Sequence, residues 1–179
     1  MTFLAHRRLA APTLLACGAA LSGCAPTLDW RDVRVEGSGL RLQMPCKPDA
    51  QRRDLPLAGA RVNLTLYACA AGGQTWGLGF ADVGDPARVA SALAGLAAAA
   101  VSNLDGRGAG ALPLLVAGAT PNANSARQLL HGRLPDGKPM QMQVAVFTRG
   151  TLVFQATVLG AQVPTEAAQT YFASLRFGS

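Results

Sequence analysis

The spacing of apolar residues changes abruptly at Asp85-Pro86. Before this point, short segments such as Leu40–Met44 alternate apolar and polar residues, the pattern of a half-buried strand. After it, apolar residues recur at intervals of three and four, which predicts a helix over residues 86–104. Asp85 can cap the free amides of this helix, and proline suits its first position. The chain must therefore combine antiparallel strands with a long central helix.

The residues after the helix predict a second group of strands. Residues 125–134 and 140–148 each read as a strand, and Pro135-Asp136-Gly137-Lys138 between them is a strong turn signal. Residues 151–159 follow after a tight turn and place apolar side chains on one face. These segments predict neighbouring antiparallel strands.

A second helix is predicted to start at Pro164, and residues 175–177 close the chain as a short strand. Residues 112–118 predict an edge strand. Two stretches predict loops, the polar residues 49–57 and the glycine-rich residues 106–110. The expected fold is α+β, a mainly antiparallel sheet covered by the long central helix and the C-terminal helix. A single domain is expected to cover residues 38–179.

The first residues of the chain have the organisation of an export signal. His6, Arg7 and Arg8 form a basic segment, and residues 9–20 form an apolar run that is too short to span a bilayer as a helix. The run ends in Leu21-Ser22-Gly23-Cys24, which resembles the lipobox of bacterial lipoproteins. Two other interpretations remain open: an ordinary secretory signal cut at a site between small residues, and a buried apolar helix.

The lipobox resemblance implies a specific processing and location. Residues 1–23 would be the signal peptide, and Cys24 would become the first residue, carrying a diacylglyceryl group and an N-acyl chain such as palmitate. More than one acyl chain gives stable anchoring. Residues 24–37 would form the lipidated N-terminus and a tether. Ala25 favours the outer membrane over the inner membrane in the sorting rule of such proteins, which places the domain on the periplasmic face of the cell envelope.

The charge of the chain argues against nucleic-acid binding. Removing residues 1–23 from the 179-residue chain leaves 156 residues, and the loss of Arg7 and Arg8 lowers the net charge from +6 to +4. The remaining basic residues are scattered, and only Arg52 and Arg53 are adjacent. A nucleic-acid interface needs basic residues clustered on one face. We therefore expect no nucleic-acid partner.

Cysteine usage predicts one disulfide. Cys17 leaves with the signal and Cys24 takes the lipid, so Cys46 and Cys69 remain as a pair in an oxidising compartment. Two buried free thiols are the alternative, because Cys69 has the parity of the more polar face of its strand whereas Cys46 has the parity of an apolar face. No Cys-x-x-Cys or Cys/His cluster occurs, so no metal site is expected.

The order of the elements and a few short motifs are similar to those of a known family. A strand ends in Met44-Pro45-Cys46-Lys47-Pro48, and two later strands read Val144-Ala145-Val146-Phe147 and Leu152-Val153-Phe154-Gln155. The last helix ends in Tyr171-Phe172-Ala173-Ser174-Leu175-Arg176-Phe177. Residues 38–177 thus resemble the PsbP-like family of α/β/α sandwiches. The resemblance implies a binding or assembly-accessory role and supplies no site residues.

No group of residues indicates catalysis. His131 is the one histidine after the signal region, Ser38 lies in a simple Gly-Ser-Gly turn, and no Gly-x-Ser-x-Gly motif occurs. The carboxylates fall mostly at predicted caps and turns: Asp82, Asp85, Asp105, Asp136 and Glu166. Trp30 and Trp76 could flank a ligand, although packing explains them more simply. We therefore expect no catalytic residue and no cofactor.

Together these features predict a non-enzymatic protein that is anchored by lipid to the cell envelope and binds another envelope protein. The alternative is a periplasmic carrier or sensor of a small apolar ligand held between sheet and helix. A hydrolase of a type that the sequence does not reveal is a third reading.

Overall fold

The structure of the protein is a computed structural model that describes residues 27–178. The strands in this part of the chain are β1 (Arg31–Arg34), β2 (Leu40–Met44), β3 (Asp49–Leu57), β4 (Ala60–Ala71), β5 (Gln74–Asp82), β6 (Arg107–Leu112), β7 (Ala126–Arg133), β8 (Pro139–Arg149), β9 (Leu152–Gly160) and β10 (Arg176–Phe177). The helices are α1 (Pro86–Asn103) and α2 (Thr165–Ala173).

Seven of the strands form one antiparallel sheet in the order β3-β4-β5-β9-β8-β7-β6. Neighbours in sequence pair through short turns, as in the β4–β5 hairpin, where Gly72 and Gly73 both have positive φ. The central pair is non-local, because β5 pairs with β9 over its whole length from Gln74 to Asp82. The two halves of the sheet are therefore joined only when β9, from the second half of the chain, pairs with β5.

Helix α1 covers one face of this sheet. The side chain of Asp85 caps it by accepting a hydrogen bond from the amide of Ala87 at 2.8 Å. The buried residues of the core on this face include no aromatic residue. Each fully buried leucine or valine in this core stabilises the fold by about 1.5–3 kcal/mol. The buried residues of α1 are Val89, Ala92, Leu93, Leu96 and Ala100.

The opposite face is covered by two elements together. Strands β1, β2 and β10 form a three-stranded antiparallel sheet with β2 in the middle, and α2 packs beside it. This core is rich in aromatic rings that contact one another, such as Phe147 stacked on Phe154 with centroids 5.0 Å apart. Trp76 and Tyr171 meet edge to face at 5.5 Å.

The expected fold class is wrong. The described residues are mainly β, with about half of them in strands and fewer than a fifth in helices. They form two separate antiparallel sheets, and the small sheet shares with α2 the face that we expected a C-terminal helix to cover. The described residues thus do not form the α+β sandwich that we expected, in which a long central helix and a C-terminal helix cover one sheet.

The difference arises from strands that lack an apolar alternation. Residues 49–57, expected as a polar loop, form strand β3, an edge strand whose side chains are exposed except at Leu55 and Leu57. Most of the glycine-rich stretch expected as a loop lies in β6, with a bulge between Gly108 and Gly110. These edge strands bury few side chains, so their sequences need not alternate apolar and polar residues and do not indicate a strand.

Two boundaries also differ from expectation. Residues 113–118 are not a strand, since β6 ends at Leu112. At the other end, β1 lies inside the range 24–37 assigned to the tether, and it pairs with β2 from Arg31 opposite Met44 to Arg34 opposite Arg41. The folded part thus includes residues before 38.

Neither α1 nor α2 has the length and apolar character that a membrane-spanning helix requires.

Candidate functional site

The pairing register defines two ends of the large sheet. At one end Gln74 pairs with Gly160, which pairs with Gln141, next to the Gly72-Gly73 turn. We call this the Gly72 end. At the other end Asp82 pairs with Leu152, which pairs with Arg149, and we call this the Arg149 end. At about 3.3 Å per residue, β5 alone separates the two ends by about 26 Å.

The chain enters the described fold at the Gly72 end. The amide of Asp29 donates to the carbonyl oxygen of Pro45 at 2.9 Å. A methyl group built on Gly72 would lie 3.0 Å from the Leu28 side chain, so Leu28 packs against the turn. The Trp30 ring meets the buried Trp76 ring edge to face at 5.8 Å. These contacts fix residues 28–30 on the sheet, and the two tryptophans have a packing role.

The predicted disulfide between Cys46 and Cys69 is confirmed, with Cα atoms 6.0 Å apart. Cys46 follows β2 of the small sheet, whereas Cys69 lies in β4 of the large sheet and pairs with Trp76. The bond therefore links the two sheets near the Gly72 end. Cys24, the predicted lipidation site, lies outside the described residues.

Residues 113–125 form an irregular segment that reaches the Arg149 end. The segment is fixed to the β8–β9 hairpin by two hydrogen bonds, from the Thr120 amide to the Thr148 carbonyl oxygen at 2.8 Å and from the Gly150 amide to Thr120 Oγ1 at 2.9 Å. The Ala117 carbonyl oxygen accepts from the Phe177 amide at 2.9 Å. On this anchored segment Leu115 is 86% exposed, and it is the one large apolar side chain of the described residues that is exposed to this degree.

The two edges of the large sheet differ in character. Strand β3 carries Arg52, Arg53 and Asp54 in its middle and Pro56 near its end, which are devices that keep an edge from pairing with another chain. Strand β6 reads Arg-Gly-Ala-Gly-Ala-Leu, and its first five residues are exposed. Its small side chains leave the outer backbone groups accessible. Within residues 27–178, β6 pairs with β7 alone.

The β6 edge is also positively charged. Strand β6 contributes Arg107, the neighbouring β7 contributes Arg127 and Arg133, and neither strand contains an acidic residue. At the opposite edge, Asp49 and Asp54 of β3 offset two of the three arginines that β3 and β4 contain together. Among the described residues, the edge that is open to pairing is thus the one that attracts negative charge.

A cavity of about 240 Å³ lies on the α2 face of the sheet beside β6. Arg127 on β7 is its one charged lining residue. Its Nη2 donates to Gln143 Oε1 at 2.5 Å, and its Cζ lies 4.0 Å from the centroid of the Phe172 ring. Its Nε is buried without a hydrogen-bond partner, and partial burial lowers the pKa of the guanidinium below its ordinary value.

His131 and the carboxylates predicted at caps and turns form no catalytic cluster among the described residues. His131 is exposed on β7, opposite Arg107 on β6 and Gln141 on β8. The side chains of Asp82 and Asp136 accept hydrogen bonds from nearby backbone amides, those of Gly84 at 2.8 Å and Lys138 at 3.2 Å. In residues 27–178 no group of three or more histidine, cysteine or acidic side chains is placed to hold a metal ion.

Sequence reasoning missed the features that distinguish this surface. Arg127 gave no signal, because a single arginine in a strand is ordinary, and its lack of an acidic neighbour becomes visible only when the sheet is assembled. The open edge was missed because its glycines predicted a loop. The exposure of Leu115 was hidden by the expectation of a strand over residues 112–118.

Comparison with protein-family models and with curated proteins finds no match for this chain, so its function has to be argued from its own residues.

Proposed function

We propose that this protein is a lipoprotein of the cell envelope, acylated at Cys24, that acts without catalysis by binding an acidic extended segment of another envelope protein along β6. The observation that carries the proposal is the open, positively charged edge of the large sheet. A strand added to this edge would form main-chain hydrogen bonds, a recurring mode of protein recognition.

The contacts of residues 28–30 support a fixed orientation on the membrane. Cys24 is three residues before Thr27, where the described chain begins, and three residues span at most about 11 Å when fully extended. Acyl chains on Cys24 would hold the Gly72 end close to the lipid headgroups. The Arg149 end, with Leu115 beside it, would face away from the bilayer. Ala25 favours the outer membrane as the location.

The position of β6 suits a partner that approaches along the sheet. Strand β6 starts at the Gly72 end, where Arg107 pairs with His131, and the segment after it continues to the Arg149 end. A partner paired with β6 would therefore reach the exposed Leu115 while remaining attached to the edge. Contact with this leucine would add apolar burial to the main-chain hydrogen bonds.

The alternative of a carrier for an apolar ligand between sheet and helix receives less support. Side chains fill the space beneath Tyr171 of α2, which is fully buried and donates a hydrogen bond to the Gly77 carbonyl oxygen at 2.7 Å, and the 240 Å³ cavity lies to the side of this packed region, next to β6. On the other face, the fully buried Leu93 and Leu130 belong to the core beneath α1. A ligand in either position would have to displace packed core residues.

Site-specific photocrosslinking in living cells tests the docking edge. A photoreactive phenylalanine derivative at Ala111 of β6 is expected to give an adduct with one protein, whereas the same residue at Gln51 of β3 gives none. Arg107→Glu is expected to reduce the Ala111 adduct at least about fivefold, because it removes an attraction to the acidic segment and adds a repulsion. Arg53→Glu, an equally exposed change on β3, is the matched control.

Three results would contradict the proposal. An Ala111 adduct that Arg107→Glu leaves unchanged would remove the electrostatic argument. An adduct between two copies of this chain would make β6 a self-association edge. Equal adducts from Ala111 and Gln51 would show that the two edges do not differ in binding.

A further inference from the structure

The cavity beside β6 combines one cation with an apolar wall. Arg127 and Gln143 lie on its floor, Thr165 and Gln169 belong to α2, and Leu114 and Phe172 supply apolar surface. No acidic side chain lines it. Its 240 Å³ equals about eight water molecules at about 30 Å³ each, which suits a ligand of fewer than about ten non-hydrogen atoms.

The charge of Arg127 is not neutralised by the described part of the chain. The guanidinium forms none of the four ion pairs found there. Its contacts are a neutral amide and the face of an aromatic ring, and Nε has no acceptor. Glu166 stands next to Thr165 in the first turn of α2, but it is exposed and does not line the cavity.

We propose that this cavity binds a carboxylate attached to a short apolar group. The guanidinium fork is suited to a carboxylate, which can accept two parallel hydrogen bonds from it. Thr165 and Gln169 offer further donors, and the apolar group would lie against Leu114 and Phe172. The cavity adjoins the β6 edge and shares Leu112 and Leu115 with the proposed docking surface. The inference nevertheless rests on Arg127 and the cavity lining and does not depend on the proposed protein partner.

The charge and lining of the cavity select against other ligands. A cation would be repelled by Arg127, and an uncharged apolar molecule would leave the guanidinium without a counter-charge. A dicarboxylate would place its second charge against Leu114 or Phe172, where no donor lines the wall. Ligands with one carboxylate and one apolar end satisfy both parts of the lining.

Isothermal titration calorimetry on the full chain in lipid nanodiscs tests the inference, with empty nanodiscs as the blank. Hexanoate is expected to bind saturably, because its carboxylate can accept charge-assisted hydrogen bonds from Arg127. 1-Hexanol and hexylammonium lack the carboxylate and are expected to bind at least about tenfold more weakly. Arg127→Met is expected to lose at least about tenfold in hexanoate affinity. Gln169→Glu, an exposed change on α2, is expected to do the same by placing a negative charge in the cavity.

Arg149→Met is the matched control, because the Arg149 guanidinium also lies over an aromatic ring, that of Phe177 at 4.9 Å, but outside the cavity. It should leave hexanoate binding unchanged. Equal binding of hexanol and hexanoate would overturn the inference, as would full affinity in both Arg127→Met and Gln169→Glu. An equal loss in Arg149→Met would also overturn it.

A second titration distinguishes the two sources of such a ligand. A tetrapeptide that ends in leucine with a free carboxylate is compared with its C-terminal amide. Tighter binding of the free-acid peptide than of hexanoate would identify a protein C-terminus as the ligand, and binding of hexanoate alone would identify a free monocarboxylic acid. Both results support a carboxylate site, whereas failure of hexanoate and both peptides to bind would reject it.

Discussion

The hydroxyl of Tyr171 on α2 donates a hydrogen bond to the carbonyl oxygen of Gly77 on β5, with 2.7 Å between the two oxygens and no solvent exposure of the tyrosine. This contact joins the last helix to the centre of the large sheet. Gly77 also allows the neighbouring strand to approach closely, because a methyl group at position 77 would lie 2.8 Å from Thr157 Oγ1. The bond thus fixes the depth at which α2 packs.

Replacing this tyrosine should lower stability and change its pH dependence. Tyr171→Phe removes one buried hydrogen bond and should reduce the free energy of unfolding by about 1–2 kcal/mol, measured by urea denaturation at neutral pH. Complete burial raises the pKa of Tyr171 above that of an exposed tyrosine. Its contribution is therefore fully present below about pH 10 and is lost as the pH rises further, because only the unfolded chain then ionises.

The comparison between the two proteins isolates this effect. Between about pH 9 and pH 11, the wild-type free energy of unfolding should fall more steeply than that of Tyr171→Phe, since phenylalanine has no proton to lose. Parallel pH curves for the two proteins would show that the Tyr171 hydroxyl is not shielded from ionisation in the folded state.

Loss of the disulfide should destabilise the junction between the two sheets. The double variant Cys46→Ser/Cys69→Ser should lower the free energy of unfolding by about 3 kcal/mol, the value for a loop closed across 23 positions. Reducing the wild type with dithiothreitol provides the control and should bring it to the same stability. A reduced wild type as stable as the oxidised form would contradict a structural role for the bond.

Gly132 on β7 should not tolerate a side chain. A methyl group there would lie 2.2 Å from the carbonyl oxygen of Leu104, which accepts a hydrogen bond from the Arg133 amide at 2.7 Å. Gly132→Ala should lower the free energy of unfolding by about 1–3 kcal/mol through this overlap. Gly108→Ala is the control, because a methyl group at Gly108 meets no atom within 4 Å. Equal stability of the two variants, by thermal unfolding, would reject the close approach.

Acylation of the mature N-terminus is tested by metabolic labelling. Wild-type protein should incorporate an alkyne analogue of palmitate and fractionate with the outer membrane, and Cys24→Ser should lose both properties, since serine has no thiol to accept the diacylglyceryl group. Cys17→Ser is the matched control, because Cys17 lies within the predicted signal peptide and should not affect labelling. Labelling that persists in Cys24→Ser would contradict the lipoprotein proposal.

The sequence predicted most accurately the helices and strands that bury one face and expose the other. Helix α1 starts at Pro86 as expected and ends at Asn103, because its apolar stripe and its Asp85 cap are both local signals. Strands β8 and β9 match their predicted segments to within two residues at each end, since the turns beside them contain Gly137 and Gly150. The disulfide followed from counting cysteines.

The predicted fold class was wrong because some strands have no apolar alternation and because the division of the strands between two sheets has no local signal. Strand β3 is polar and becomes a strand only because β4 supplies its hydrogen bonds, from Asp49 opposite Ala68 to Leu57 opposite Ala60. The short strand predicted at residues 175–177 does form, as β10, and it pairs with β2. No local pattern indicates that β1, β2 and β10 leave the large sheet to form a second one. The cavity at Arg127 was equally hidden, because its lining comes from β7, β8, α2 and the segment after β6.

The small sheet places β1 and β10, the first and last strands of the described residues, on either side of β2. Phe177 of β10 also sets its ring 5.3 Å from that of Phe154, so this strand completes the aromatic core as well as the sheet. A nascent polypeptide cannot finish this layer until residue 177 has been synthesised. Under the export that we propose, this delay would keep the chain threadable during translocation, and the compact form would be reached on the far side of the membrane.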